Sequence, residues 1–247
     1  MVNPNLLPVS FLPTLAAIVF SISARIFPSM RISLPLLACV LGLTGCSSVY
    51  YDAMETVGVP KRKILVDRVD AAREAQQAAK QQFSSALAQF LAVTRMPPTE
   101  LQATYETLNT ELKHSEARAK DVRDRIAAID SVAEALFTEW GNELGQYKNP
   151  TLRAQSERQL TATRNRYANL MRVMEQAAAG MDPVVDAFRD QVLFLKHNLN
   201  AQAISALSSS SRELQQDISR LVGDMEKSIK EADAFIASMQ TAPPPAK

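Results

Sequence analysis

The sequence predicts an all-α fold: an elongated antiparallel coiled coil or helical bundle of three to four long helices. Residues with high helix propensity, mainly Ala, Gln, Glu, Arg and Leu, dominate after residue 46, and glycine is rare there. Prolines stand in a few short groups, and between these groups apolar residues recur at alternating spacings of three and four. Such heptads are typical of helices that pack side by side with a left-handed supercoil.

The first 45 residues have the pattern of a lipoprotein signal. A basic start at Met30-Arg31 is followed by an apolar segment over 34–43 and by small residues before Cys46. We predict that residues 1–45 are removed and that Cys46 is lipidated. Either Met30 is the true start, which we favour, or the signal is unusually extended. The predicted recognition residues for the signal peptidase are Leu43, Thr44 and Gly45.

The residues around Cys46 resemble the bacterial lipobox. In proteins with that motif, the cysteine thiol is joined to diacylglycerol and the new amino terminus receives a fatty acid such as palmitate. Residue 47 is Ser rather than Asp, which by the same resemblance favours the outer membrane, with the protein facing the periplasm. Cys39 leaves with the signal and Cys46 carries lipid, so we expect no intramolecular disulfide.

We predict a lipidated tether over 46–60 and a single bundle domain over 61–240. In the tether, Tyr50, Tyr51, Met54 and Val57 have helical spacing, which favours a short helix against either the bundle or the lipid headgroup region. The seam of a first helix, about 61–94, is Leu65, Val69, Ala72, Gln76, Ala79, Phe83, Ala86, Phe90 and Val93. The seam of a second helix, about 99–147, is Leu101, Tyr105, Leu108, Leu112, Ser115, Ala119, Val122, Ile126, Ile129, Ala133, Leu136 and Trp140. Short connections make neighbours antiparallel, so we expect the 140–152 hairpin to overshoot the start of the first helix on the membrane side. There it either contacts lipid or a membrane partner, or simply packs on the Tyr50-Tyr51 segment.

A third helix is predicted to start at Pro150, where proline suits the first turn, and to run to about Leu207, with a seam that begins at Leu152 and includes Leu199. We expect a kink at Gly180 and Pro183, with Asp182 capping the distal part. The serine run 208–211 offers N-cap hydroxyls for a fourth helix, although the seam continues in phase across it, so one long bent helix is the alternative. Residues 241–247 are predicted to be a disordered tail.

Three stretches, at 63–69, 134–140 and 187–201, resemble the uncharacterised bacterial lipoprotein family known as domain of unknown function 2959. Their sequences are KILVDRV, EALFTEW and AFRDQVLFLKHNLNA, in which charged and amide residues interrupt the seams at unusual places. The resemblance covers about residues 58–238. It implies a secreted, helical, coiled-coil-rich protein and assigns no activity or site.

Several chemistries find no support in the sequence. Glu111 and His114 have a metal-ligand spacing, but a di-metal bundle site needs that motif twice, so we expect no metal and no cofactor. There is no Gly-rich phosphate loop and no Gly-x-Ser-x-Gly elbow. Positive and negative charges are nearly balanced and finely mixed after residue 45, which argues against a nucleic-acid partner.

The leading functional expectation is a non-enzymatic, lipid-anchored periplasmic scaffold or adaptor that binds an envelope protein or a cell-wall component. The alternative is an envelope hydrolase or ligand-binding protein that uses helix carboxylates near Trp140. Candidate partner-contact residues are Trp140, Glu139, Glu143, Tyr147, Lys196 and His197. The polar run 196–200 is either such a contact or a satisfied polar layer inside the bundle, as we also expect for the seam residues Gln76, Ser115, Thr163 and Ser228.

Overall fold

In the computed structural model, helices make up almost all of the described chain, which comprises residues 46–93 and 100–241, with only the backbone described at 46–49 and at 201. This part of the chain contains no strand, so the predicted all-α bundle is confirmed. The predicted recognition residues Leu43, Thr44 and Gly45 and the tail beyond residue 241 lie outside the described residues. The α-helices are α1 (Cys46–Thr56), α2 (Lys61–Val93), α3 (Leu101–Glu143), α4 (Pro150–Ala179), α5 (Met181–His197) and α6 (Ala201–Thr241), with a 3-10 turn at Leu144–Gln146.

The four long rods of the bundle are α2, α3, the α4–α5 pair and α6. α2 packs against α3 and α6, and the α4–α5 pair packs against both α3 and α6. Arg73 of α2 pairs with Asp233 of α6 at 2.9 Å, and further along, Lys80 pairs with Glu226 at 3.3 Å. Since the α6 partner number falls as the α2 number rises, these two helices run antiparallel.

The predicted heptad seams form the core. Every predicted seam residue of α2 is buried, and so is the seam of α6 from Leu214 to Met239. Phe90 of α2 meets Phe188 of α5 edge to face, with ring centroids 6.1 Å apart. Two predicted seam residues remain exposed, Leu152 at 46% and Leu199 at 42%, because both lie at a turn where the bundle ends.

The α3–α4 connection has the predicted helix start. Pro150 is the first residue of α4, and the Asn149 side chain accepts hydrogen bonds from the backbone N–H of Thr151 and Leu152, at 2.9 and 3.3 Å. The junction at Gly180 keeps right-handed helical dihedrals, so α4 and α5 continue in phase. Asp182 does not cap α5; its carboxylate instead accepts from Arg123 of α3, at 2.6 Å.

The predicted boundary at the serine run is wrong. The chain turns at 198–200, and the Asn200 side chain caps α6 by accepting from the N–H of Gln202 and Ala203, at 3.0 and 3.1 Å. The serines lie inside α6, where the Ser209 hydroxyl donates to the Ala206 carbonyl at 2.7 Å. A serine hydroxyl can donate its hydrogen bond to a backbone carbonyl of the preceding turn of the same helix, so a serine run does not by itself end a helix.

Polar residues on the seams are buried, as their positions imply, but not all are satisfied. The Ser115 hydroxyl donates to the Glu111 carbonyl at 2.8 Å. Gln76 of α2 and Ser228 of α6 are fully buried and, within the described part of the chain, their side chains have no hydrogen-bond partner. Both lie at the level between the Arg73 and Lys80 ion pairs. The α2–α6 seam therefore contains two buried polar side chains at this level that lack hydrogen-bond partners in the described chain.

Candidate functional site

A buried lysine joins three helices at one end of the bundle. The ammonium of Lys61, whose side chain is 4% exposed, lies 2.9 Å from the Asp52 carboxylate, 2.8 Å from Glu55 and 3.3 Å from Glu139. Asp52 and Glu55 belong to α1, Lys61 begins α2 and Glu139 belongs to α3. We call these four residues the Lys61 cluster. Three carboxylates around one ammonium satisfy its donors and offset the cost of burying the charge.

The cluster changes the proton affinity of its members. Burial by itself lowers the pKa of Lys61, but the hydrogen bonds that Lys61 donates to Glu55 and Asp52, together with the nearby negative charges, outweigh it and hold this pKa above its usual value. Burial and the neighbouring Glu55 raise the pKa of Glu139. Burial also acts to raise the pKa of Glu55, yet the contacts with Lys61 and Glu139 hold it below its ordinary value. The lysine is therefore a fixed charge near neutral pH.

The turn between α1 and α2 folds α1 back onto the bundle. Gly58 has a φ of +88°, its N–H bonds to the Glu55 carbonyl at 2.9 Å, and the N–H of Val59 bonds to the Met54 carbonyl at 2.9 Å. This is a Schellman motif, which requires a left-handed residue that glycine supplies without strain. The motif ends α1 and reverses the chain just before Pro60.

A second contact shows which way α1 points. The Tyr51 hydroxyl donates to Ser131 of α3 at 2.9 Å, and the Tyr51 side chain is 5% exposed. Four residues later, Glu55 shares Lys61 with Glu139, eight residues further along α3. α1 therefore runs in the same direction as α3, with Cys46 placed toward the middle of α3 and away from the hairpin.

The aromatic residues of the α3–α4 hairpin are structural contacts. Trp140 is 5% exposed, and its indole N–H donates to the buried Ser156 hydroxyl at 2.8 Å. The Tyr147 hydroxyl reaches the same Ser156 oxygen at 3.4 Å. Glu139 faces Lys61, whereas Glu143, one turn later, is partly exposed. The hydrogen bonds of Trp140 and Tyr147 to Ser156 hold the hairpin together.

The α5–α6 turn exposes a cluster of large apolar side chains. Leu193, Phe194 and Leu199 are 48%, 41% and 42% exposed, and we call them the tip patch. The predicted contact residues Lys196 and His197 lie between them and are exposed, so this run is a surface turn and not a buried polar layer. Because α6 runs antiparallel to α2, the tip patch lies at the end of the bundle opposite the Lys61 cluster.

A family model described as "Protein of unknown function (DUF2959)" matches residues 50–239. The chain belongs to the DUF2959 family. No curated protein and no solved structure matches the chain. The DUF2959 region begins within α1 and ends within α6, so the Lys61 cluster and the tip patch both lie inside it.

The described part of the DUF2959 chain has surface grooves. One groove of about 440 Å³ lies between α2 and α6 beside Arg73, Gln77 and Ile229. His114 is exposed and Glu111 is held by Gln82 at 2.7 Å; among residues 46–93 and 100–241 no cluster of His, Cys, Asp and Glu could hold a metal ion. No helix in these two ranges is long and apolar enough to cross a membrane.

Sequence reasoning missed Lys61 and two of its partners. Lys61 stands four residues before Leu65, which is the seam spacing, so continuing the heptads backwards would have placed it in the core. Asp52 and Glu55 are separated by three residues and so lie on one helical face, which was the second available indication. Glu139 was singled out, but its partner is Lys61 of α2 rather than Glu143 of its own helix.

Proposed function

We propose that this DUF2959 protein is a lipid-anchored scaffold or adaptor of the bacterial envelope, attached to the outer membrane through Cys46 and facing the periplasm. Its partner is an envelope protein or a cell-wall component, and it performs no chemistry of its own. The lipobox-like residues before Cys46 support the anchor, and α1 begins at that residue. A lipid anchor raises the effective concentration of the bundle toward anything held at the same surface.

The tip patch is the observation that carries the adaptor role. Three large apolar side chains, each more than 40% exposed within seven residues, face solvent at the end of a bundle whose other apolar seams are buried. An exposed apolar cluster with a polar rim is typical of a contact surface for another macromolecule. The exposed Lys196 and His197 provide part of that rim.

Intact-mass measurement of the protein purified from its native envelope tests the anchor. We expect a chain that begins at Cys46 and carries diacylglycerol and an N-acyl group, and a Cys46→Ala variant that carries no acyl mass, keeps its signal and does not reach the outer-membrane fraction. An unmodified chain beginning at Met1 or Met30 would contradict the proposal.

Site-specific photocrosslinking in intact cells tests the tip. A benzoylphenylalanine at Phe194 should give discrete adducts that disappear with the Cys46→Ala variant, because a protein that keeps its uncleaved signal no longer reaches a partner held at the outer membrane. The same probe at Thr161, an exposed residue in the middle of α4, is the matched control. Equal adducts from both positions, or adducts insensitive to Cys46→Ala, would remove the tip from the proposed function.

A further inference from the structure

α1 has two faces, and only one is occupied by the bundle. Tyr51 is buried against α3, and Met54 packs partly against the core. Tyr50, Ala53 and Val57 are exposed, with Tyr50 at 47% and Val57 at 73%. Their spacings of three and four place them along one side of the helix, and we call them the outer stripe. Val57 is the most exposed of the large apolar residues on the described surface.

The position of Cys46 continues this stripe. Cys46 precedes Tyr50 by four residues, and the backbone is helical from Cys46 onward. Four residues are about one helical turn, or about 6 Å along the axis. The lipid-bearing position and the outer stripe therefore lie on the same side of α1.

We propose that the outer stripe is a membrane-contacting face, which lies on the lipid headgroup region beside the acyl chains attached at Cys46. This inference rests on the lipid anchor of the proposed function. A helix of this kind lies in the interface plane, with tyrosine and small apolar residues toward the lipid and its other face bound to protein. We assign the lipid surface as the partner of the outer stripe, because the acyl chains on Cys46 hold this side of α1 at the membrane.

The contact decides the orientation of the whole bundle. The Lys61 cluster and the Tyr51–Ser131 hydrogen bond hold α1 against α3, and α1 runs in the same direction as α3. If α1 lies along the membrane, the long helices also run along it. This replaces the expectation that the 140–152 hairpin points at the membrane. The hairpin follows Glu139 at the end of α3, whereas Cys46 lies near the middle of α3, so the hairpin and the lipid anchor are separated along the bundle.

The test uses depth-dependent fluorescence quenching on the lipidated full-length protein in vesicles of phosphatidylethanolamine and phosphatidylglycerol. An environment-sensitive thiol dye is placed at Ala53→Cys in the outer stripe, at Gly145→Cys in the hairpin, or at Ser209→Cys on α6. All three sites are suitable: Ala53 and Ser209 are exposed, and a side chain added at Gly145 meets no atom within 4 Å. Lipids carrying a nitroxide near the headgroup serve as the quencher.

We expect several-fold stronger quenching at Ala53→Cys than at the other two positions, and a loss of that difference when Tyr50→Asp and Val57→Asp are added. Stronger quenching at Gly145→Cys, or equal quenching at all three sites, would overturn the inference. The intact mass and the number of dyes per chain distinguish a failure of the lipid anchor from a failure of the membrane contact. One dye per chain with an acylated Cys46 means that the anchor holds whatever the quenching shows, whereas two dyes and no acyl mass mean that the anchor fails and the inference with it.

Discussion

At the scale of single residues, Lys61 is the side chain on which the attachment of α1 depends. Its ammonium is almost fully buried, yet all three of its acidic partners are partly exposed, with Asp52 at 69%, Glu55 at 33% and Glu139 at 32%. Removing the lysine therefore leaves carboxylates that water can solvate but that repel each other across α1 and α3. The loss of Lys61 should therefore destabilise the attachment of α1 more than the packing of the long helices.

Lys61→Met keeps the apolar stem and removes the charge. We expect the backbone amides of 50–56 to exchange at least about tenfold faster, equivalent to about 1.4 kcal/mol, because α1 opens more often while the long helices keep their protection. Hydrogen exchange with mass spectrometry measures this. Lys63→Met is the control, because Lys63 is 60% exposed and its ammonium pairs with Asp67 of its own helix, at 2.7 Å. Equal exchange in both variants would show that the Lys61 cluster does not hold α1 in place.

Gln76 is a residue whose replacement should improve stability. Its amide is fully buried without a hydrogen-bond partner in the described chain, and methionine has a similar shape without the desolvation cost. We expect Gln76→Met to raise the free energy of unfolding in urea by about 1–2 kcal/mol. Gln77→Met, at a partly exposed neighbour, should change it by less than about 0.5 kcal/mol. A lower stability for Gln76→Met would mean that the amide is satisfied in solution.

At the scale of elements, the ends of the helices are set by side-chain and backbone caps rather than by the seams. Asn149 starts α4, Asn200 starts α6, and the Schellman motif at Gly58 ends α1. Heptads continue across a short break without losing phase, so they cannot show where a helix stops. This is why the serine run was mistaken for a boundary and Asn200 was not recognised.

Replacing each of the two candidate N-cap residues of α6 by alanine shows which one caps the helix. Asn200→Ala should destabilise the α5–α6 hairpin by about 1 kcal/mol, because two N–H groups at the start of α6 lose their acceptor. Ser209→Ala should have little effect or a slightly favourable one, because its hydroxyl bonds only within its own helix. Thermal unfolding followed by circular dichroism measures both, and the opposite ranking would restore the serine run as the cap.

At the scale of the whole molecule, the bundle and α1 are held by different forces. The long helices bury continuous apolar seams, whose burial does not depend on pH, whereas α1 adds one buried tyrosine and an ion cluster. The bundle should therefore remain folded under conditions in which α1 is released. Such release would separate the anchored end from α3 without unfolding the part that carries the tip patch.

The attachment of α1 should depend on pH in a defined direction. The lowered pKa of Glu55 contributes stability above the ordinary glutamate pKa of about 4.3, and that contribution is lost as the pH falls; the raised pKa of Lys61 contributes stability below about 10.4, and that contribution is lost above it. Glu139, with its raised pKa, acts in the opposite sense just above the ordinary glutamate range.

We therefore expect the protection of 50–56 to be greatest between about pH 6 and pH 10 and to fall in acid, while α3 keeps its protection. Hydrogen exchange corrected for the intrinsic rate at each pH measures this. In the Lys61→Met variant the fall in acid should disappear, because protonation of the remaining carboxylates relieves their mutual repulsion. Protection that rises as the pH falls toward 4 would mean that Glu139 dominates the cluster.

The sequence by itself determined the helical class, the seams and the antiparallel order of the long helices, because heptad spacing is written locally along each segment and short connections allow few arrangements. It also predicted a helical start at Pro150 and the membership of the family. Only the tertiary structure decided which carboxylates surround Lys61, that Tyr51 packs inward while Tyr50 faces out, and that α1 points along α3. Those features depend on contacts between residues far apart in the chain, such as Lys61 with Glu139 and Tyr51 with Ser131, which no local periodicity records.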